Sequence, residues 1–365
     1  MNRQLRCGLA LLVMLLALPI AGVRAQDDPA VEPPPADYGE VAAAYTEMEN
    51  TTITDANRMI DLMLSGDFAA IYEQFSDEVK ALVTVEQLET GYQQVTSAGP
   101  LGELISSRAI AVNSQRVYIA QYAWGDNAIT LTVAFNAAGE ISGLNFVPVT
   151  PLLGDPRADY QSAVVFRLPF DGLWNTFWGG PDVLHNYHVA AAPPRHAYDF
   201  VVWKDGSTFG GDGTSLEDYY AYGQPALAPA DGEVITVVND LPEVTPQVEM
   251  DPAHPAGNHV VIQVAEGEYL FIAHMQPGSI QVEVGDMVDA GQVIGLTGNS
   301  GSSSEPHIHI HLQDTPEMFT TDESGTIIGL SDAQGLPLVF TFYLANGEPV
   351  AAGVPIGGQF VQNAP

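Results

Sequence analysis

From Tyr38 to Ser97 the apolar residues recur at helical spacing. Ile60, Met63 and Leu64 form one stripe, and after a break at Ser65-Gly66 a second is formed by Phe68, Ile71, Tyr72 and Phe75. Thr84 and Gln87 stand at capping-box spacing and predict the start of a third helix. After Gly99-Pro100 the period falls to two, as expected where alternate side chains face opposite sides of a sheet. It predicts strands over Leu104 to Val112, Arg116 to Trp124, Ala128 to Phe135 and Ile141 to Val147, with Asn136-Ala137-Ala138-Gly139 turning the last pair. Helices followed by an antiparallel meander predict a small α+β domain across residues 38–150.

Beyond a junction at Pro148 to Pro156, short β-type runs alternate with Gly, Pro, Asp and Asn. They are Ala197 to Trp203, Glu233 to Val238, His259 to Val264, Tyr269 to His274 and Ile308 to Leu312. No amphipathic helix of convincing length interrupts them, which predicts a mainly antiparallel β domain over residues 151–320. Residues 321–365 alternate again, as in Leu338-Val339-Phe340-Thr341-Phe342-Tyr343, with a turn at Asn346-Gly347. They predict a β extension that adds strands beside the preceding domain or covers one wall of it. With 365 residues the chain has material for two cores, so the expected fold class is multidomain.

The first 25 residues have the pattern of a signal peptide: Arg3 and Arg6, an apolar run from Leu9 to Ala21, then Val23-Arg24-Ala25. That run is shorter than the ~20 residues of a spanning helix. The mature chain is therefore expected to begin at Gln26, to have no transmembrane helix, and to be secreted or extracytoplasmic at the cell envelope. Residues 26–37 are acidic and proline-rich and predict a disordered linker. Cys7, the only cysteine, falls within the segment to be removed, leaving no disulfide and no thiolate ligand. A net charge of -34 excludes nucleic acid as a partner and opposes attachment to anionic surfaces.

Metal chemistry is thus left to imidazole and carboxylate, and all nine histidines lie between His185 and His311. Three of them alternate in Pro306-His307-Ile308-His309-Ile310-His311, where a strand would turn their rings to one face. This arrangement points to a metal centre, with His185, His188, His196, Asp199, His254, His259 and His274 as the other groups in reach.

Three segments carry a resemblance: Gly285-Asp286-Met287-Val288-Asp289-Ala290-Gly291-Gln292-Val293-Ile294-Gly295, Gly298-Asn299-Ser300-Gly301 and Pro306-His307-Ile308-His309. Together they resemble the signature of the LytM/lysostaphin-type zinc metallopeptidases. Ala228 to Val234 and Gly257 to Ile262 match the same family in the expected order, so the resemblance spans about residues 180 to 315. The Gly-Asp segment alone is also similar to lipoyl and biotinyl carriers, but these need an exposed hairpin lysine and the mature chain has only Lys80 and Lys204.

The resemblance implies a Zn2+ ion held by His309, by Asp199 and by one further histidine, with His274 and His307 as catalytic residues. The sequence departs from the family at that further histidine. The usual position, four residues before the aspartate, is Arg195 here. His196 stands three before Asp199, on the opposite face if both lie in one strand. His188, in Asn186-Tyr187-His188, is therefore the expected ligand, returned toward Asp199 by a loop at Ala190 to Pro194, with His196 as the alternative. His185 and His254 read as surface or otherwise satisfied histidines, and His259 and His311 receive no role.

The function implied is that of an exported zinc metalloendopeptidase hydrolysing stem or cross-link peptides of bacterial cell-wall peptidoglycan through a zinc-activated water. The competing reading is a non-catalytic peptidoglycan-binding or amidase-activating protein of the same fold. Completeness of the site separates the two. Residues 40 to 150, with Leu64-Ser65-Gly66-Asp67-Phe68, resemble the cystatin-like (SnoaL-like) domains. Lacking histidine and any acid-base cluster, that domain is expected to bind or space.

Overall fold

The computed structural model describes residues 33–97, 99–112, 114–149 and 154–365. The expected signal peptide and most of the expected linker lie outside these residues. Helix Ala42–Ser65 ends where Gly66 takes a left-handed conformation, with φ at 78°. The next helix, Phe68–Glu73, is capped by Asp67, whose carboxylate accepts the Ala70 N–H at 3.1 Å. A one-turn helix, Asp77–Lys80, follows, and then Val85–Thr96, which begins with the reciprocal Thr84–Gln87 capping box.

Strands Leu101–Val112, Gln115–Trp124, Asn127–Phe135 and Ile141–Pro148 pair in chain order as an antiparallel meander. Met59, Ile60, Met63, Phe68 and Ile71 from the helices bury against Tyr118, Ile129, Leu131, Val133 and Phe135 from the sheet. This is the α+β order expected from the periodicity. Leu64 departs from it: placed on the stripe by spacing, it lies in the last turn before Gly66 and faces solvent.

Among the described residues the largest sheet has eleven strands. Ten form one path: Met287–Val288, Gly232–Val238, Asn258–Ala265, Glu268–Met275, Ile308–Gln313, Tyr198–Val201, Trp174–Trp178, Phe360–Asn363, Phe340–Ala345 and Glu348–Gly353. Gly335–Leu336 pairs beside Ile308–Gln313, and all pairs are antiparallel. The strands from Gly335 onward thus extend this same sheet, while Ile327–Leu330 pairs with Phe319–Thr321 in a separate two-stranded sheet, and Asn346 and Gly347 both have positive φ in the predicted turn. The strand Trp174–Trp178 was not signalled by alternation. Its first three residues are all buried, and Trp174 stacks on Phe170 with ring centroids 4.8 Å apart.

The helical and all-β parts share a buried cluster. Tyr45 packs edge-on against Trp203 at 5.2 Å and Phe360 at 4.9 Å, with Val41, Met48 and Leu173 around them. From the meander, Arg108 donates to the carbonyls of Phe177 at 3.0 Å and of Leu184 and His185 at 3.4 Å, and its guanidinium lies 5.0 Å over the Trp178 ring. Burial lowers its pKa to about 10, against the pull of Tyr45, Asp182 and Glu49. No helix among the described residues is long and apolar enough to cross a membrane.

Phe360→Ala removes the ring that Tyr38, Tyr45 and Trp203 all contact. The expected cost is about 3–5 kcal/mol, read from the urea midpoint at constant slope. A loss below about 1 kcal/mol would show that this cluster does not hold the two parts together.

Candidate metal centre

Antiparallel register sets the centre of the site. His309 lies opposite Asp199 on the neighbouring strand and opposite Ala273 on the other side. Directly paired residues share a face, so the His309 ring and the Asp199 carboxylate meet, with Nδ1 2.8 Å from Oδ1. His307, two residues before His309, points to the same side, and its Nε2 is 3.6 Å from Asp199 Oδ1.

His274 reaches the site through a bulge. The pairing with Asn258–Ala265 shifts between Ile272 and Met275, and His274 adopts a φ of 65°. Such a conformation costs a non-glycine residue on the order of 1–3 kcal/mol. In return its ring lies 4.7 Å from that of His307 and 5.6 Å from that of His309. The Gly298-Asn299-Ser300-Gly301 loop secures it, since the Ser300 carbonyl accepts from His274 Nδ1 at 2.8 Å. Only glycines allow that approach: a Cβ on Gly301 would stand 2.4 Å from the Gly257 nitrogen, and both residues have positive φ.

His188 enters from a short 3-10 turn, Tyr187–Ala190. Asn186 donates both side-chain hydrogens, to the carbonyls of Gly180 at 3.1 Å and Ala197 at 3.0 Å. Its Oδ1 is therefore fixed as an acceptor, and takes the His188 backbone N–H at 3.2 Å and the Nδ1–H at 2.8 Å. His188 Nε2 is left facing Asp199 Oδ2 at 3.6 Å. His307 is held in the same way, its Nδ1 donating to the Glu305 carbonyl at 2.8 Å. Three rings, His188, His274 and His307, thus commit Nδ1 to an oxygen and keep Nε2 for the centre. These tautomers are assigned from the hydrogen-bond network.

Burial would raise the Asp199 carboxyl, but the electrostatic pull of the His188 and His307 rings and the His309 contact outweigh it and hold the group well below the usual carboxylate range. The surrounding imidazoles move the other way. Burial lowers His188 to about 4, against the attraction of Asp199. Burial also lowers His307, and it takes His274 well below the ordinary imidazole value. A buried anion thus sits among rings that resist protonation, an arrangement that a divalent cation satisfies.

Two sets of donors meet the geometric need, His188 with Asp199 and His309, and His274 with His307 and His309; within each set the donor atoms lie within 4.8 Å of one another. Two imidazoles and one carboxylate, with no thiolate, are a donor set suited to zinc with an open position.

His185, His196, His254 and His259 have their hydrogen-bond partners away from this cluster. His196 precedes the strand Tyr198–Val201 and does not lie in it, and its Nε2 is 3.0 Å from Asp155 Oδ2. The turn that carries it, and not strand parity, directs it away from Asp199. Arg195 also faces Asp155, at 4.0 Å. His185 contacts Asp182 and His254 contacts Asp251, while His259 Nδ1 donates to the Gly257 carbonyl at 2.7 Å. Sequence reasoning missed the parts played by Asn186, the Ser300 carbonyl and Glu305, whose buried side chain takes the Thr208 hydroxyl hydrogen and is pushed up to about 7 by burial. Of these, only the Asn-x-His spacing left a trace in the sequence.

Residues 213–320 match the model of Peptidase family M23. The chain carries an M23 peptidase domain. The match includes His274, His307 and His309, and begins after His188 and Asp199. The chain is 35% identical over 237 residues to peptidoglycan DD-endopeptidase ShyA of Vibrio cholerae, covering 64% of this chain and 45% of that protein. It is 36% identical over 92 residues to Endolysin 2638A of Staphylococcus phage 2638A, covering 24% of this chain and 19% of that protein. The chain thus spans less than half the length of either curated relative. Among solved structures, the catalytic domain of lysostaphin from Staphylococcus simulans aligns at 18% identity with a TM-score of 0.24, covering 42% of this chain and 85% of that one.

The depressed His188 value makes the metal-free M23 domain sensitive to acid. Below its ordinary value of 6.5 the unfolded chain takes up a proton that the folded chain refuses until about pH 4. Stability is therefore expected to be full above about 6.5 and to fall progressively toward pH 4, and the low Asp199 value adds a further loss only as the pH drops below its ordinary value of 3.8. Urea midpoints of the metal-free protein across this range check it, and a flat or rising profile toward acid would contradict it.

Proposed function

We propose that this chain is an exported zinc metalloendopeptidase that hydrolyses peptide bonds in bacterial cell-wall peptidoglycan. The observation that carries this reading is the convergence of His188, Asp199, His274, His307 and His309 in one buried cluster next to an M23 match. His188 through Nε2, Asp199 through its carboxylate and His309 through Nδ1 are the proposed zinc ligands. When bound, the ion supplies Lewis acidity, activating water near neutral pH and polarising a carbonyl.

His307 and His274 are the proposed catalytic residues. Each has only Nε2 to offer, since Nδ1 is committed to the Glu305 or Ser300 carbonyl. Burial favours the neutral rings, so these Nε2 atoms are ready to accept a proton from the attacking water. Once protonated, the same atoms can donate to the developing oxyanion and then to the leaving amine. The full donor set supports the enzyme over a non-catalytic binding protein of the same fold. The peptidoglycan substrate rests on the name of one relative, the peptidoglycan DD-endopeptidase, and export rests on the pattern of residues 1–25. For the N-terminal part, helices followed by a meander support the cystatin-like reading and a role in binding or spacing.

His309→Ala is expected to abolish tight zinc binding and peptide hydrolysis together. The readouts are metal analysis and mass spectrometry of defined peptidoglycan fragments, and full cleavage by the metal-free variant would sink the proposal. A paired comparison tests the ligand set: His188→Ala should lose zinc, whereas His196→Ala should retain it. The reverse pattern would transfer the ligand role to His196.

A further inference from the structure

His311, the third histidine of the alternating run, is 1% exposed and lies behind His309. Its Nδ1 is 3.0 Å from His309 Nε2, and its Nε2 is 3.0 Å from Gln313 Oε1. The Gln313 amide nitrogen donates to the Thr315 carbonyl at 2.7 Å. A backbone carbonyl can only accept, so this contact orients the amide and turns Oε1 toward His311. Oε1 must then accept from a hydrogen on His311 Nε2.

Between His311 Nδ1 and His309 Nε2 there is room for one hydrogen. Placing it on His311 would make that ring a cation. It stacks on the Phe271 ring at 4.7 Å with 13° between planes, faces only His309 and the Gln313 carbonyl oxygen with its nitrogens, and forms no ion pair among the described residues. An uncompensated buried charge there would be costly. The hydrogen therefore belongs to His309 Nε2, and His309 presents Nδ1 to Asp199 Oδ1 at 2.8 Å.

We propose that His311 is a positioning residue: with Gln313 it holds the hydrogen of His309 on Nε2 and so reserves Nδ1 as the metal-binding atom facing Asp199. The Nδ1–Asp199 gap is where the proposed metal ion would be held, with Nε2–H turned away from it toward His311. The affinity arm of the test rests on the zinc reading above, and the tautomer arm is independent of it.

In metal-free wild-type protein, 15N NMR of the His309 ring should show a hydrogen on Nε2. In His311→Phe, which can keep the stack on Phe271 but offers no acceptor, that hydrogen should no longer be fixed on Nε2. Zinc affinity of this variant should fall about 10- to 100-fold. His311→Gln, whose side-chain oxygen can accept from His309, should restore both the tautomer and most of the affinity. A wild-type His309 protonated only on Nδ1, or wild-type zinc affinity in folded His311→Phe, would overturn the proposal. If His311→Phe does not fold, Gln313→Met replaces it, since it removes the outer acceptor; an unchanged His309 tautomer and unchanged affinity there would also overturn it. A wild-type protein that binds no zinc would defeat the zinc reading, and the tautomer measurement would still decide the role of His311.

Discussion

The site depends on one buried carboxylate. Asp199 lies in the middle of the largest sheet, and among the described residues its ion-pair contacts are with His188, His307 and His309 and with no lysine or arginine. Removing a carboxylate from water is unfavourable unless its oxygens find donors or a cation. The chain surrounds this one with imidazoles that burial keeps from charging, so the anion is only partly compensated by the protein itself. That imbalance suits the metal ion proposed for the cluster, and the geometry around it is a set of devices that keep ring nitrogens in place.

Those devices divide between sheet and loops. The sheet sets which residues meet, since pairing His309 opposite Asp199 and Ala273 leaves little choice of partner. The loops set which nitrogen each ring presents. Asn186, the Ser300 carbonyl, the Glu305 carbonyl and the His311–Gln313 pair each take up one ring nitrogen on the side away from Asp199. The glycine-rich motif belongs to this second layer, because its close crossing at Gly257 and Gly301 brings the Ser300 carbonyl to His274.

Much of this was legible in the sequence where a period or a motif encodes local geometry. The meander strands followed from alternation, the helix start at Thr84 from its capping box, and the proximity of His307 and His309 from strand parity. What escaped has physical reasons. Trp174–Trp178 is buried over consecutive residues, so it shows no alternation to read. His188 is aimed by the amide of Asn186 through hydrogen bonds to carbonyls at Gly180 and Ala197, contacts that no periodicity registers. The bulge at His274 depends on loops distant in sequence, as does the docking of Tyr45 on Trp203 and Phe360. The M23 match itself begins at residue 213, beyond the divergent segment that contains His188 and Asp199.

Asp199 and His309 are separated by 110 positions, and their strands must pair before either has a reason to be buried. A chain made only as far as Asp199 holds that aspartate and His188 without His274, His307 or His309. Such a centre is a late event in folding, gated by long-range pairing and its loop-closure entropy. The topology therefore acts as a timer: the proposed centre is complete only after the sheet has closed across that span.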